Sequence, residues 1–299
     1  MKIFSGSSNK PLAEKIAKEF ERSLSPLEIF IFPDGEKRVQ VQVPVVDEDV
    51  VIIQSTATPA AENYMELFFI ADALRRNGAR EITVVMPYMG YQRQDHVFRT
   101  GEAVSLQVVI SMLEALKINR VIACDLHSIK IPEFFTIPLT HLSALPLFAE
   151  TIKKEGWVTL DTVLVSPDMG GIRRIKLMSE MLSDMPFVTI VKDRDLATGN
   201  IASSGLQGEV TRRAIIVDDM SSSGKTLVQA NNMLREKGAE EVFVFVTHSV
   251  FSQDAPKLLQ DSSIDKVYVT DSVDVPQDKK FEKLHILSLA PSIFEAIQR

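Results

Sequence analysis

Residues 212–241 read RRAIIVDDMSSSGKTLVQANNMLREKGAEE. The apolar run Ala214–Val217 has the β-branched composition of a strand, and from Leu227 onward the stretch is helix-like. The turn between them, DDMSSSGKT at Asp218–Thr226, ends in Gly-Lys-Thr, as a nucleotide-binding P-loop does. That motif needs another glycine five places before Gly224, and Asp219 stands there instead. A carboxylate at that step repels phosphate unless a sugar hydroxyl or a metal lies between them. Serine hydroxyls and the unpaired N–H groups of a helix start still favour an anion. The stretch is therefore read as a binder of a sugar phosphate, with Asp218 and Asp219 one step away for hydroxyls. An ordinary strand-to-helix turn capped by serine is the bland alternative, although capping does not require paired acids.

Around this stretch, short apolar β-branched runs alternate with amphipathic ones, the pattern of a parallel sheet covered by helices. The candidate strands are Lys2–Phe4, Glu28–Phe32, Val50–Gln54, Glu81–Met86, Arg120–Cys124, Thr162–Val165, Phe187–Val191, Ala214–Val217, Glu241–Thr247 and Lys266–Thr270. They fall into two matching sets: KIFSGS with VLVSPD, EIFIFPDGE with FVTIVKDRD, VVIIQSTAT with AIIVDDMSS, NGAREITVV with KGAEEVFVF, and INRVIACD with IDKVYVTD. The offset drifts only from 161 residues at Ser5 and Ser166 to 146 at Val121 and Val267, which points to tandem duplication of one α/β unit. The expected domains are 1–142 and 143–287, with the tail 288–299 packing back on the first. QSTATPAAE in the first half stands where DDMSSSGKT stands in the second and lacks both Asp, which puts the sugar-phosphate chemistry in the second half. Ligands of open parallel sheets lie beyond the carboxyl ends of the strands. SPDMGG, VKDRD and VDDMSSSG share that edge and bring Asp168, Lys192, Arg194, Asp218 and Asp219 to one cleft, a set that implies Mg²⁺ and polyphosphate.

With 45% apolar and 24% charged residues the 299-residue chain is globular and large enough for two domains. No apolar run has the length of a membrane span, and MKIFSGSSNK lacks the features of a signal peptide, so a cytoplasmic protein without membrane partners is expected. A single cysteine, Cys124 within RVIACD, excludes an internal disulfide and reads as core. The formal charge of −7 argues against general nucleic-acid binding. His141, His248 and His285 show no ligand spacing, and Trp157 is expected to pack near the domain junction.

With these residues in view the chain resembles the ribose-phosphate pyrophosphokinase (phosphoribosyl pyrophosphate, PRPP, synthetase) family along essentially its whole length. It carries FPDGE (32–36), IIQST (52–56), PYMGYQRQD (87–95), DLH (125–127), SPDMGG (166–171), KDR (192–194) and IVDDMSSSGKT (216–226) in the family's order. Each motif alone is weak, and seven in order are specific. The resemblance implies an α/β fold of two duplicated phosphoribosyltransferase-like domains, each a mainly parallel sheet flanked by helices. It implies transfer of the β,γ-diphosphoryl group of ATP to the 1-hydroxyl of ribose 5-phosphate, with Mg²⁺ as cofactor.

Carried over residue by residue, the resemblance makes Phe32, Asp34, Gly35 and Glu36 an adenine-contacting hairpin offered to a neighbouring subunit in a homo-oligomer. Arg93, Gln94 and Asp95 hold the nucleotide, Arg93 through its planar fork. His127 and Asp168 address the metal, although one histidine after a strand makes no metal site by count. Asp218 and Asp219 take the ribose hydroxyls, while Ser221, Ser222, Ser223, Gly224, Lys225 and Thr226 surround the 5-phosphate. Lys192 and Arg194 begin a glycine-bearing polar segment, KDRDLATGNIASSGLQGE, read as a lid, and would stabilise the transferring group. Lys225 stands where the family commonly has a small residue, and Asp193 interrupts a segment that is usually more basic. The Arg-Gly pair that follows FPDGE in many members is replaced by VPVVDEDV, implying activity without added phosphate and ADP inhibition that is purely competitive. A phosphoribosyltransferase using PRPP would leave FPDGE and YQRQD idle. A catalytically silent regulatory homologue would not require Lys192, Arg194, His127 and Asp168.

Overall fold

The computed structural model describes residues 1–194 and 201–299, without the side chains of 192–194 and 201–204. The chain divides into two compact units. The first comprises Met1–Ser143, Ser272–Asp274 and Ser288–Arg299, and the second Ala144–Asp271 and Val275–Leu287.

The first unit is built on a five-stranded, wholly parallel sheet in the order β1 (Lys2–Ser5), β4 (Asp49–Ile53), β5 (Glu81–Met86), β6 (Arg120–Cys124), β7 (Leu139–Leu142). Its helices are α1 (Lys10–Glu19), α2 (Ala60–Arg76), α3 (Ser105–Ala115) and the C-terminal α8 (Ala290–Gln298), which meets α1 through the edge-on rings of Phe20 and Phe294. The second unit repeats the order with β8 (Thr162–Ser166), β11 (Arg213–Ser221), β12 (Glu241–Ser249), β13 (Lys266–Thr270) and β14 (Leu284–Leu287). Its helices are α4 (Leu145–Lys154), α5 (Ile172–Met181), α6 (Lys225–Glu236) and α7 (Ala255–Asp261). Beyond β8 its sheet continues into β9 (Phe187–Arg194), parallel to β8, and β10 (Ile201–Gln207), antiparallel to β9. The strands are apolar runs because both sheet faces are covered. Each sheet faces its own buried cluster, one centred on Ile52, Leu67, Val84 and Ile110, the other on Val165, Ile216, Leu234 and Val244.

The duplication extends to individual side chains. Arg75, near the end of α2, donates Nη1 to the carbonyls of Ala79 and Arg80, and Nη2 to the Lys117 carbonyl and, at 3.0 Å, to Asn119 Oδ1. Asn119 Oδ1 also accepts the Ile82 amide at 2.8 Å. Arg235, near the end of α6, donates Nη1 to the carbonyls of Ala239 and Glu240, and Nη2 to the Ser263 carbonyl at 2.6 Å and Asp265 Oδ2 at 2.7 Å. Asp265 Oδ2 accepts the Val242 amide, again at 2.7 Å. Both arginines stand in the last turn of a helix, where a cation is favoured, and each ties together two loops through their carbonyls.

Glu28–Phe32, expected in the main sheet, is displaced from it. Leu27–Ile31 (β2) instead pairs antiparallel with Lys37–Val41 (β3) as a separate two-stranded sheet. Leu27, Ile29, Val39 and Val41 give this hairpin one apolar face, which it buries on the first core rather than extending the edge at β1. β3, β7, β10 and β14 add to the expected strands, and Ser272–Asp274 belongs to the first unit although its flanking residues belong to the second. Trp157 packs within the second unit, its ring stacked 3.9 Å from that of Phe243. No described helix is long and apolar enough to cross a membrane.

Candidate active site

β11 runs further than the apolar signal suggested, through the acids to Ser221, because its neighbour β12 continues beside it: Asp218 pairs in register with Val246 and Ser221 with Ser249. Residues 222–224 then turn into α6. Gly224 sits at φ 74°, the left-handed region that glycine enters without a Cβ penalty. The turn is pinned by the Ser252 amide donating to the Ser222 carbonyl at 3.0 Å and by a 2.9 Å contact between the hydroxyls of Ser222 and Ser252. Ser222 and Ser223 are half-buried, and Lys225 and Thr226 are exposed at the helix start. Ser221 differs from its neighbours: its hydroxyl is buried without a hydrogen-bond partner among the described residues, as is that of Ser249 across the register.

Adjacent strand residues face opposite sides of a sheet, yet Arg174 reaches both acids from the first turn of α5. Its Nη1 lies 2.9 Å from Asp218 Oδ1 and its Nη2 3.3 Å from Asp219 Oδ1. Asp218 Oδ1 also accepts the Asp219 amide at 2.9 Å. Burial, then the neighbouring Asp219 charge, pushes the Asp218 carboxyl well above the usual range; Arg174 opposes both and Asp168 adds to the rise. Asp168 follows β8 at the same edge, where its Oδ1 accepts the Gly171 amide at 3.1 Å. Arg174 was not anticipated from sequence. A signal existed, since a cation in the first turn of a helix opposes the helix dipole unless an anion lies nearby.

Lys192 and Arg194 end β9, opposite Ser204 and Ile201 of β10. Their side chains and residues 195–200, part of the expected lid, lie outside the described residues. β9 and β10, on either side of 195–200, pair antiparallel. Among the described residues no group of three or more His, Cys, Asp or Glu is arranged to hold a metal ion.

In the first unit, residues 32–36 form the tip of the β2–β3 hairpin. The Phe32 amide donates to the Glu36 carbonyl at 2.8 Å, Gly35 turns the chain at φ 91°, and Asp34 Oδ1 accepts the Glu36 amide at 3.1 Å. The Phe32 ring lies 5.0 Å edge-on from Phe30, and Phe30, Ile31 and Phe32 are all exposed. Arg93 and Gln94 are exposed in the turn after β5, while Asp95 Oδ1 lies 2.6 Å from His96 Nδ1. His127 is exposed after β6 and donates its amide to Gln92 Oε1 at 2.9 Å. His141 supports that loop, its Nε2 accepting the Leu126 amide at 3.0 Å.

Register places Gln54, after β4, at the step held by Asp218 within β11, and there the first unit is filled by its own side chains. Gln54 Oε1 accepts the Ser8 hydroxyl at 2.8 Å, and its Nε2 donates to Glu66 Oε1 at 3.0 Å. Packing is so close that a Cβ on Gly6 would lie 2.2 Å from Gln54 Oε1.

Two family models match the chain: the N-terminal domain of ribose phosphate pyrophosphokinase over residues 1–116, and the phosphoribosyl synthetase-associated domain over 198–299. The ribose-phosphate pyrophosphokinase of Fusobacterium nucleatum subsp. nucleatum is 39% identical over 300 residues, covering 100% of this chain and 94% of that one. The chain belongs to the ribose-phosphate pyrophosphokinase family. The family's Bacillus cereus member is likewise 39% identical over 299 residues, covering 100% of this chain and 93% of its own. The crystal structure of phosphoribosylpyrophosphate synthetase from Mycobacterium smegmatis superposes with a TM-score of 0.93 at 32% identity, covering 99% of this chain and 97% of that one. Membership makes the protein a diphosphokinase-type transferase of nucleotide biosynthesis, built from two phosphoribosyltransferase-like domains.

Proposed function

We propose that the protein transfers the β,γ-diphosphoryl group of ATP to the 1-hydroxyl of ribose 5-phosphate, forming PRPP and AMP. A bond forms between the anomeric oxygen and the β-phosphorus, the hydroxyl proton is released, and the oxygen bridging to the α-phosphorus leaves with AMP. The observation that carries this reading is the edge of the second unit, where half-buried Asp218 and buried Asp219 precede a serine turn and a helix start. Arg174 bridges both acids and draws the Asp218 carboxyl down against the burial and the Asp219 charge that raise it, and the ionised acids would accept hydrogen bonds from ribose hydroxyls. Ser222, Ser223, Gly224, Lys225 and Thr226 take the 5-phosphate, where helix N–H groups, hydroxyls and an ammonium favour an anion. Ser221, the last residue of β11, would join them through its buried hydroxyl.

In the first unit, Phe32 at the exposed tip suits stacking on adenine, with Asp34, Gly35 and Glu36 beside it and Arg93, Gln94 and Asp95 for the rest of the nucleotide. Exposed Phe30, Ile31 and Phe32 suit contact with a second copy, so the working form is a dimer or a multiple of it. Lys192 and Arg194 stabilise charge as it redistributes over the transferring group. Mg²⁺ is usually bound through one or two carboxylates and substrate phosphates, and Asp168 is such a hard donor at the sugar edge. His127, in the first unit, would address a metal directly or through water. When bound, Mg²⁺ would supply neutralising charge to the polyphosphate.

The test is purified protein with ATP, Mg²⁺ and ribose 5-phosphate. AMP and PRPP should appear in equal amounts. Formation of ADP with a ribose bisphosphate would show single-phosphoryl transfer and overturn the reading.

A further inference from the structure

Along β3 the side chains alternate between half-buried Lys37, Val39 and Val41 and exposed Arg38 and Gln40. Val39 and Val41 pack against the first core, and Lys37 is the member of that inward row nearest the hairpin tip. It meets a carboxylate where an aliphatic residue would be the simple choice. Lys37 Nζ lies 2.8 Å from Glu66 Oε2, with the two side chains 14% and 1% exposed. Glu66 sits in the apolar face of α2, between buried Tyr64 and Leu67.

The carboxylate gathers three further donors. The Ser7 amide reaches Oε1 at 2.6 Å and the Ser7 hydroxyl reaches Oε2 at 2.9 Å, while Gln54 Nε2 donates to Oε1 at 3.0 Å. Burial pushes the Glu66 carboxyl up, but Lys37 and Ser7 outweigh it and hold the group below its usual range. Lys37 is thereby the one side chain of the hairpin joined to the polar cluster at the carboxyl edge of the first sheet, among the described contacts of Glu66. A buried ion pair is a poor source of net stability, because desolvation offsets its attraction, but it fixes geometry when all its hydrogen bonds are made.

We propose that the Lys37–Glu66 pair is the strut that sets the position of the 32–36 tip, making Lys37 a positioning residue for nucleotide binding. This rests on the reading of that tip as nucleotide-contacting. The apolar face alone leaves the hairpin able to slide on the core, since hydrophobic contact is non-directional. One charge-assisted bond, five residues from Phe32 and beside the tip, removes that freedom.

The experiment compares Lys37→Met, Lys37→Arg, Glu66→Gln and Phe32→Ala with the wild type, at a concentration where all sediment alike. It reads KM for ATP, KM for ribose 5-phosphate, kcat, and amide exchange of residues 27–41 against 82–86. Lys37→Met should raise KM for ATP about tenfold, within the range that a displacement of roughly 1 Å can produce, with KM for ribose 5-phosphate unchanged. Exchange should quicken in 27–41 and not in 82–86, and Lys37→Arg should recover most of both changes. Phe32→Ala should raise KM for ATP without quickening exchange along the strands. If Lys37→Met does not fold, Glu66→Gln, which keeps a polar group for Ser7 and Gln54, carries the same expectations. A normal KM for ATP in Lys37→Met or Glu66→Gln, with a raised one in Phe32→Ala, overturns the strut and spares the tip assignment. A normal KM for ATP in all of them overturns the tip assignment and the strut together.

Discussion

At the carboxyl end of β4 the first unit places Gln54 and Ser55; at the carboxyl end of β11 the second unit places Asp218 and Asp219. The surrounding frame is shared down to the Arg75 and Arg235 clamps. In the first unit the edge is closed by its own side chains, with Gln54 held by Ser8 and Glu66 and Glu66 in turn by Ser7 and Lys37. In the second, the acids share one arginine, and the serine turn leads to a helix start whose first side chains are exposed. The hairpins diverge in step: β9–β10 remains in the sheet, whereas β2–β3 leaves it and is tied back through Lys37. One topology thus carries a hairpin anchor at the edge of the first unit and, in the function proposed above, a sugar-phosphate site at the edge of the second.

The largest test of this contrast is to neutralise the acids. Asp218→Asn with Asp219→Asn should lower kcat/KM for ribose 5-phosphate by about a thousandfold, the sum expected for two hydrogen bonds to charged groups. Gln54→Ala, at the matching step of the first unit, should leave the KM for ribose 5-phosphate unchanged; a comparable loss there would break the assignment of the sugar to the second unit. Next comes the β9 end, where Lys192→Ala or Arg194→Ala should reduce kcat by roughly a hundredfold, as for loss of one oxyanion donor, with sugar binding little altered. Near-normal turnover in both variants would remove them from the chemistry.

The shared frame predicts similarity instead. Arg75→Met and Arg235→Met should each destabilise by about 1–3 kcal/mol in urea unfolding, since each strips donors from two loops. A large disparity would show that the two clamps are not equivalent. The subtlest effect is in pH dependence. Asp218 must be ionised to accept ribose hydroxyls and its carboxyl is raised, so sugar affinity should fall, as pH is lowered, before an ordinary carboxylate would protonate. Arg174 lowers that carboxyl, so Arg174→Met should move the acidic limb of kcat/KM for ribose 5-phosphate to higher pH. A limb that stays in place would separate Arg174 from the ionisation of Asp218.

The sequence by itself determined the alternation of strands and helices, the duplication, and the run of acids, serines and glycine between β11 and α6. These are local: strand composition, turn residues and helical spacing are read within a few positions of one another, and a repeat doubles the signal. Only the tertiary structure decided where Leu27–Ile31 would pair, because its apolar alternation suits a sheet edge as well as a detached hairpin. It also decided that Ser221 ends a strand with its hydroxyl buried, since the reach of β11 depends on β12 beside it. Arg174 meets Asp218 across 44 positions and Lys37 meets Glu66 across 29, separations at which nothing in the residues between signals the contact. Pairing of a buried charge is imposed by what the fold brings near it, so a lysine in a strand and a glutamate in a helix acquire their roles only when the two elements pack.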